Sequence, residues 1–444
     1  MHHKSFSIRS ISAVILVLFV TGGSSRGAQA KDYFVDPESG NDSQTGSQAE
    51  PWRTLWAVGK KDILKAKDIV YLRNGHYGYL TIHNRRNVAT ITIAALAGHT
   101  PQFRTIKISG SSFWHLRGLT VIPVQGPLKP KDAIVAINRN SDNIVIEGFD
   151  IQSHPDISNW QANDWIDKAR SGITATGKRI TLKNNRLKNV RHGIAMHAYH
   201  SLVVGNIIEN FSGDGIRALS NHTTFRHNTI KNCYNVDGNH DDGIQSYARG
   251  PDGKVGTGEI VGVVISGNRI INYEDPDQPF RCTLQGIGLF DGTFVDWRIE
   301  NNVIITDHWH GITVMGARNV RVVNNTVMDP NQLRPGPPWI TITRHKDGTP
   351  PQSSVIANNI AASFNPDGNK HFPANSLTGV AMINNLTVTD PDQIFRDWRK
   401  MDLSPGPKSA ALDQGSANFA PLVDIRGSQR PIGSGVDIGA FESK

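Results

Sequence analysis

A Gly-Ile dipeptide recurs along the middle of this 444-residue chain, beginning at Gly172, Gly193, Gly215, Gly243, Gly286 and Gly311. The first two intervals are 21 and 22 residues, and insertions lengthen the later ones. Asparagines such as Asn185, Asn206 and Asn228 lie between the copies. A period near twenty, with short β-branched runs and Asn or Gly at the corners, is typical of a parallel β-helix. We therefore predict an all-β solenoid whose long open groove suits a polymer better than a small metabolite.

The composition agrees with a single folded solenoid. Hydrophobic residues make up 38% of the chain and charged residues 19%, which suffices for a stacked core and excludes intrinsic disorder. Each coil of a repeat protein needs only its neighbours, so the length does not require several domains. We expect a monomer, and we see no dense Lys/Arg tract with interleaved aromatics that would indicate nucleic-acid binding.

The first 30 residues read as a secretory signal peptide. Lys4 and Arg9 precede an apolar run, and Ala28-Gln29-Ala30 fits a small-x-small cleavage site. The run is too short to span a membrane comfortably. Cleavage before Lys31 lowers the formal net charge from +8 to +5. The predicted mature protein is periplasmic or secreted, is not held in a membrane, and is basic enough to suit an acidic polysaccharide as partner.

The mature chain divides into three predicted parts. Residues 31–66 form a first strand and a capping helix at about 55–66, because the end of a solenoid must be covered. Residues 67–400 form the coils, and residues 401–444 form a C-terminal tail or cap. Insertions at 153–170, 247–258, 272–281 and 330–338 cluster around the middle coils. Because loops on one face of a solenoid often form its binding wall, this clustering indicates where a site lies.

Two cysteines, Cys233 and Cys282, fall about one coil apart. In an oxidising compartment they can form a disulfide. The insertions blur the register between them, so the interpretation as two unpaired thiols is slightly favoured. The sequence does not decide the question.

The residues that precede the repeated glycines form a polar series. Equivalent positions on successive coils stack about 4.8 Å apart, so this series predicts a ladder along the solenoid. Two short motifs within it, Asn239-His240-Asp241-Asp242 and Asp307-His308-Trp309-His310, place an imidazole beside a carboxylate. The ladder comprises Ser171, His192, Asp214, Asp242, Gln285 and His310.

The opening segment, the coils and the tail motif Val436-Asp437-Ile438-Gly439-Ala440-Phe441-Glu442 together resemble the bacterial secreted right-handed parallel β-helix family of polysaccharide lyases and carbon-5 epimerases. The resemblance implies a right-handed solenoid, an acidic glycan substrate and calcium as a cofactor, for which Asp214 and Asp242 are the candidate ligands. Of the Asp-Pro-His-Asp motif of the epimerases, the chain shares only His240 and Asp241. The calcium-dependent lyases of this fold use Arg or Lys as base, a role for which Arg217 is one candidate.

A uronate lyase must neutralise a carboxylate, remove the proton alpha to it and protonate the leaving oxygen, which suits His, carboxylate and amide side chains. We predict a catalytic group and a substrate-binding group on this basis. The catalytic candidates are His240, Asp241, Asp242, His192, His310 and Arg217, and the substrate-binding candidates are Gln245, His308, Asp291, Trp309 and His197. The favoured function is β-elimination on a uronate-containing glycan. Carbon-5 epimerisation, glycoside hydrolysis by paired carboxylates and non-catalytic glycan binding remain open.

Overall fold

The computed structural model describes residues 30–60, 62–123, 132–331, 334–364 and 377–443. Its main body is an all-β parallel β-helix, as predicted. Each coil except those at the two ends contributes one strand to each of three parallel sheets, in a constant order. The predicted signal peptide, apart from Ala30, lies outside the described residues.

The repeated dipeptide lies on one of these sheets, which we call the Gly-Ile sheet. The chain passes from it to sheet A, then to sheet B, and back to the Gly-Ile sheet one coil further on. The described strands of the Gly-Ile sheet are Tyr79–His83, Thr105–Ser109, Ala133–Ile137, Ser171–Ala175, Ile194–Met196, Ile216–Ala218, Asp242–Tyr247, Gln285–Asp291, His310–Met315 and Trp339–Thr343.

Sheets A and B form the other two faces of the solenoid. The described strands of sheet A are Asp32–Val35, Ile69–Leu72, Arg86–Ala95, Ser112–Arg117, Asp142–Glu147, Lys178–Lys183, Leu202–Val204, Thr224–Arg226, Val264–Ser266, Arg298–Glu300, Arg321–Val323, Ser354–Ala357 and Val380–Ile383. Those of sheet B are Gly75–His76, Pro101–Phe103, Thr120–Val121, Asp150–Gln152, Arg186–Val190, Ile207–Phe211, Thr229–Cys233, Arg269–Ile271, Val303–Ile305, Thr326–Met328, Ile360–Ala361 and Leu386–Thr387.

The remaining elements are short. Glu259–Val261, Thr293–Val295 and Ala317–Arg318 form a small parallel sheet, and Phe395–Asp397 pairs antiparallel with Asp402–Pro405. The α-helices are Ala162–Lys168 and Pro391–Ile394, and the 3₁₀ helices are Trp56–Gly59 and Trp398–Lys400. None of the helices in the described ranges is long and apolar enough to cross a membrane.

The predicted capping helix at 55–66 is wrong in its extent. The structure forms a single 3₁₀ turn, Trp56–Gly59, and leaves the rest of the described segment without a helix. Glycine within a helix costs about 1 kcal/mol relative to alanine, so Gly59 is a natural end point. Ala57, Val58 and Leu64 are nevertheless buried in the main core, so the segment covers the first coils without being a regular helix.

The tight turn between sheets A and B carries a ladder of asparagine side chains. Each Asn Oδ1 accepts hydrogen bonds from the backbone N–H and the side-chain Nδ2 of the preceding coil's asparagine, at 2.8–3.1 Å. These asparagines therefore have a structural role, because their side chains join successive coils. The ladder runs through Asn185, Asn206, Asn228, Asn268, Asn302, Asn325, Asn359 and Asn385.

The glycine of each Gly-Ile dipeptide is required by close packing inside the coil. A Cβ at Gly243 would lie 2.5 Å from the Ile270 side chain on sheet B and 2.8 Å from the Gly286 carbonyl oxygen. Gly215 meets Ile230 and the Gly243 carbonyl in the same way. The repeat therefore brings the turn after sheet B against the core, and it places the preceding polar residue at the amino end of a Gly-Ile strand.

The C-terminal tail folds back on the outer side of sheet B. Ile438 and Phe441 pack with Val303 and other outward residues of the late coils in a second apolar cluster. The buried Arg430 guanidinium donates to the Glu442 carboxylate at 2.7 Å. Arg430 also donates to the Asn301 side-chain oxygen on the coils at 3.2 Å, so this buried pair is joined to the coils.

Candidate functional site

The polar residues that precede the repeated glycines lie side by side at the amino ends of the Gly-Ile strands. In three coils the side chain of the residue before the glycine forms a hydrogen bond with the side chain three positions later. Arg217 Nε donates to Asp214 Oδ2 at 2.5 Å, and Gln245 Nε2 donates to Asp242 Oδ2 at 2.8 Å. His310 Nδ1 lies 2.8 Å from Thr313 Oγ1. We call His192, Asp214, Asp242, Gln285 and His310 the polar row.

The middle of the polar row contains two buried carboxyl groups on adjacent coils. The Asp242 backbone N–H donates to Asp214 Oδ1 at 3.2 Å, and the Arg217 guanidinium neutralises Asp214. Burial and the nearby Asp214 charge raise the pKa of Asp242 well above its usual range. Two adjacent carboxylates do not both ionise readily, and Arg217 stabilises the charge on Asp214. Asp242 therefore holds its proton more tightly than Asp214 does.

An open cavity of about 440 Å³ lies beside the polar row, between insertions from neighbouring coils. It brings together His240 and Asp241 from one predicted motif with His308, Trp309 and His310 from the other. The other lining residues are Asn235, Asn239, Cys282, Thr283, Gln285 and Met315. Imidazoles, a carboxyl group, amides and a hydroxyl group thus face one space.

Asp241 is the carboxyl group of this cavity. Asn239 Nδ2 donates to its Oδ1 at 2.8 Å, and its own backbone carbonyl accepts from the Gln285 N–H at 2.9 Å. Burial, together with the negative charges of Asp214 and Asp237, raises the pKa of Asp241 to about 7. The group exchanges a proton near neutral pH, which is the property required of a general acid or base.

A disulfide between Cys233 and Cys282 forms part of the cavity wall. The slightly favoured interpretation as unpaired thiols is wrong. The Cα atoms lie 5.6 Å apart, because the insertion after Ile271 returns to the coil below at Cys282. The bond joins the two segments that carry Asn235 to Asp241 and Thr283 to Gln285. The loop containing His240 and Asp241 is thereby tied to the neighbouring coil.

Backbone hydrogen bonds define the tautomers of two histidines. The His310 N–H donates to His308 Nδ1 at 3.0 Å, and the Asp214 N–H donates to His192 Nδ1 at 2.9 Å. Burial lowers the pKa of His308 to about 4 and that of His192 to about 3. Both rings are neutral at pH 7 and carry their proton on Nε2. His308 and His192 are therefore hydrogen-bond donors through Nε2, and they do not act as bases in this form.

His310 is held by the next coil. Its Nδ1 faces Thr313 Oγ1, which also accepts from Trp339 Nε1 at 2.9 Å. Its ring stacks on His308 at a centroid distance of 5.2 Å and meets Phe290 edge-on at 4.9 Å. Trp309 stacks in parallel with Trp339 at 6.3 Å, so its ring is supported from behind while it lines the cavity.

The predicted site residues fall into three places. His240, Asp241, His308, Trp309 and His310 line the cavity. His192, Asp214, Arg217, Asp242 and Gln245 form a connected group next to it. His197 and Asp291 lie at the carboxyl end of the sheet, where Asp291 pairs with Lys346 at 2.7 Å and His197 borders other cavities.

Six further cavity residues are absent from the predicted catalytic and substrate-binding sets: Asn235, Asn239, Cys282, Thr283, Gln285 and Met315. Gln285 was present in the polar series. Asn235 and Thr283 lie one or two positions from the cysteines, so an assumed disulfide would have indicated both. Met315 gives no signal, since it ends an ordinary strand.

The implied calcium ligands do not fit a cation. Both oxygens of Asp214 accept hydrogen bonds, one of them from a guanidinium whose positive charge opposes a metal ion. Asp242 is only 1% exposed, and its Oδ2 already accepts from Gln245. Within the described ranges, Cys233, Asp241 and Cys282 form one cluster with metal-ligand spacing, but its two sulfur atoms are joined to each other. Calcium prefers several ionised oxygen ligands, which this group does not supply.

A family model described as "Right handed beta helix region" matches residues 104–255 and 171–332, which together cover just over half of the chain. No curated protein sequence matches significantly. A solved structure of pectate lyase Pel9A is 14% identical, covers 94% of this chain and 97% of its own, and has a TM-score of 0.53. The complex of XylC with xylose is 11% identical, with coverages of 93% and 99% and a TM-score of 0.58. At these identities the similarity establishes the fold alone.

Proposed function

Because the chain belongs to the right-handed β-helix family, we propose that it is a secreted polysaccharide lyase that cleaves a uronate-containing glycan by β-elimination. One observation carries the proposal: His240, Asp241, His308 and His310 converge with several amide and hydroxyl groups on one open cavity. The cavity lies along a continuous face of stacked strands, which gives a polymer room to extend in both directions.

The first requirement of β-elimination is to neutralise the uronate carboxylate, so that the neighbouring C–H becomes acidic. Neutral donors suit this role where no cation is at hand. His308 supplies an Nε2–H, because its Nδ1 already accepts from the backbone. Asn235, Asn239 and Thr283 line the same space and supply amide and hydroxyl donors.

The second requirement is a base and an acid. We assign His240 as the base that removes the proton at carbon 5, since it is exposed at the cavity and its type suits neutral pH. The electron pair of the broken C–H bond forms the carbon 4–carbon 5 double bond, and the bond from carbon 4 to the glycosidic oxygen breaks. Asp241, with a pKa of about 7, supplies the proton to that oxygen. The proton taken by His240 returns to solvent.

Glycoside hydrolysis is a weaker candidate for this cavity. It uses two carboxyl groups on opposite sides of the scissile bond. Among the described residues that line the cavity, Asp241 is the sole carboxyl group, and Asp242 is only 1% exposed. Imidazole and amide chemistry therefore accounts for more of the lining than paired carboxylates do.

The test is ultraviolet absorbance at the unsaturated-uronate band, with the mature chain from Lys31 to Lys444. The panel is alginate, polygalacturonate, glucuronan and host exopolysaccharide, each with calcium or with a chelator. We expect absorbance to rise with one substrate, equally in both arms because Asp214 and Asp242 do not form a calcium site. The His240→Ala protein is the matched control and should produce no rise in absorbance.

A flat trace across the panel would contradict the lyase assignment, and the same samples would then identify the reaction. New reducing ends without absorbance indicate hydrolysis. A changed proton NMR spectrum without shortening indicates carbon-5 epimerisation. An unchanged polymer indicates a binding protein.

A further inference from the structure

A second recess lies at the opposite edge of the Gly-Ile sheet, where its strands end and the chain turns to sheet A. Two cavities of about 420 and 510 Å³ meet there, and both are lined by His197 and Tyr199. Since they share these residues, they form one continuous surface, which we call the trough. It follows the carboxyl ends of the five strands from Ala133–Ile137 to Asp242–Tyr247, a length of about 19 Å at about 4.8 Å per strand.

One end of the trough is cationic. Arg86, Arg139 and Lys178 line it, and the single carboxylate there, Asp142, is paired with Lys178 and Arg179. Arg86 uses one N–H to donate to the Asn140 carbonyl at 2.8 Å. A guanidinium has five N–H donors in a fork that matches a carboxylate, so Arg86 retains donors for a ligand. This end suits an anionic group.

The middle of the trough presents an exposed ring. The Tyr199 side chain is 44% exposed, although a large ring of this kind is usually better covered. It is supported edge-on by His200 at 5.5 Å, and His200 stacks in parallel on His222 at 4.9 Å. A ring held in place by its neighbours binds a flat apolar surface with little loss of side-chain entropy. One face of a sugar ring offers such a surface.

We propose that the trough is a second binding site for the acidic polysaccharide, separate from the cavity that contains His240. The inference rests on the proposed function for its ligand class, an anionic glycan. Cations matched to carboxylates and a supported aromatic ring occur together in one elongated recess, which fits several consecutive uronate residues. The site holds the polymer at one edge of the Gly-Ile sheet while the cavity acts at the other, so it serves long chains and not short oligomers.

The experiment measures polymer binding and oligomer turnover separately. Affinity electrophoresis in gels containing polygalacturonate, alginate or glucuronan compares wild-type protein with Tyr199→Ala and Arg139→Ser. The matched controls are Tyr79→Ala, an exposed tyrosine at the other end of its strand on the same sheet, and Arg396→Ser, an exposed arginine of the tail. We expect each trough variant to raise the dissociation constant for the polymer by roughly 3- to 10-fold, as the loss of one exposed polar or aromatic contact would.

The outcomes separate this inference from the proposed function. If the lyase assay is positive and the trough variants bind polymer as the controls do, the inference is overturned and the lyase stands. If no absorbance develops but the trough variants still lose affinity, the inference stands alone. Wild-type protein that binds none of the acidic polymers would overturn both. Trough variants should also keep wild-type turnover on short oligomers, and an equal loss on short and long substrates would contradict a separate site.

Discussion

Two polar stacks run along the same coils of this solenoid, and they differ in how their hydrogen bonds are satisfied. The asparagine ladder repeats one residue type, and each interior side chain both donates to and accepts from its neighbours. The polar row mixes residue types, with His, Asp, Asp, Gln and His on successive coils. Within it, Asp242 Oδ1 and Gln285 Oε1 are buried and lack a hydrogen-bond partner in the described structure. Uniform stacking therefore satisfies every interior side chain, and the mixed stack leaves two buried polar atoms without a partner.

The contrast extends to protonation. An amide does not titrate in the physiological range, so the asparagine ladder has the same charge at every pH. Beside the polar row, burial raises the pKa of Asp241 to about 7 and lowers that of His308 to about 4. Shifted pKa values cluster at functional sites, although structural ion pairs also produce them. This difference supports the proposal that the chemistry takes place beside the polar row, while the asparagine ladder stabilises the solenoid.

The largest expected effect is on turnover, and it comes from a change in the cavity beside the polar row. His240→Ala should lower kcat on the preferred glycan by at least ~100-fold, the low end for loss of a general acid or base. His240 is exposed, so the melting temperature should stay within a degree or two of wild type. Steady-state kinetics and a thermal melt check both parts. Near-normal turnover in the folded variant would remove His240 from the catalytic group.

A smaller effect, on stability alone, is expected in the asparagine ladder. Asn268→Ala removes the acceptor of the Asn228 backbone and side-chain donors and the donor to the Phe225 carbonyl. We expect a loss of ~2 kcal/mol of unfolding free energy, since buried groups are left unsatisfied. Urea denaturation measures it.

Asn385→Ala, at the half-buried end of the ladder, is the matched control and should cost less. Turnover per folded molecule should be unchanged in both variants. An equal cost at the two positions would show that an interior position in the ladder adds no more stability than its half-buried end.

Much of the solenoid could be predicted from local sequence, because the structure is itself local. A Gly-Ile dipeptide or an Asn at a corner meets its equivalent one coil away, so a period near twenty residues suffices to predict both stacks. The capping segment at 55–66 could not be predicted so well. Its apolar residues fit a helix, but packing of Val58 and Leu64 on the first coils, with Gly59 between them, produces one 3₁₀ turn.

The sequence predicts many residues of the candidate site, but it does not predict how they are arranged in space. The two motifs around His240 and His308 were visible, but their meeting in one cavity depends on how the insertion at 272–281 folds. The same insertion hid the disulfide, because Cys282 returns to Cys233 only after leaving the coil. The roles of His308 and His192 depend on single backbone N–H donors, which no residue pattern displays.

The smallest expected effect is a change in the pH dependence of stability. Folded Asp241 has a pKa of about 7, against about 3.9 for an unfolded aspartate. The folded state therefore binds this proton more tightly, and the resulting stabilisation is complete below pH ~4 and lost as pH rises through 7. Asp241→Asn keeps an amide in place of the protonated acid, so its free energy of unfolding should rise relative to that of wild type between pH 4 and 8.

Burial of His308 changes stability with pH in the opposite direction to burial of Asp241. The effect of Asp241 is therefore measured as the difference between wild type and Asp241→Asn. His308 has a lowered pKa of about 4, so its contribution is present above pH ~6.5 and is lost as pH falls through 4. This term is common to wild type and Asp241→Asn and cancels in their difference. Asp291→Asn, at the far edge of the same sheet, is the control for the change from acid to amide itself. A pH-independent offset for Asp241→Asn would mean that its proton is not held by the fold, and the polar row would then resemble the asparagine ladder in its indifference to pH.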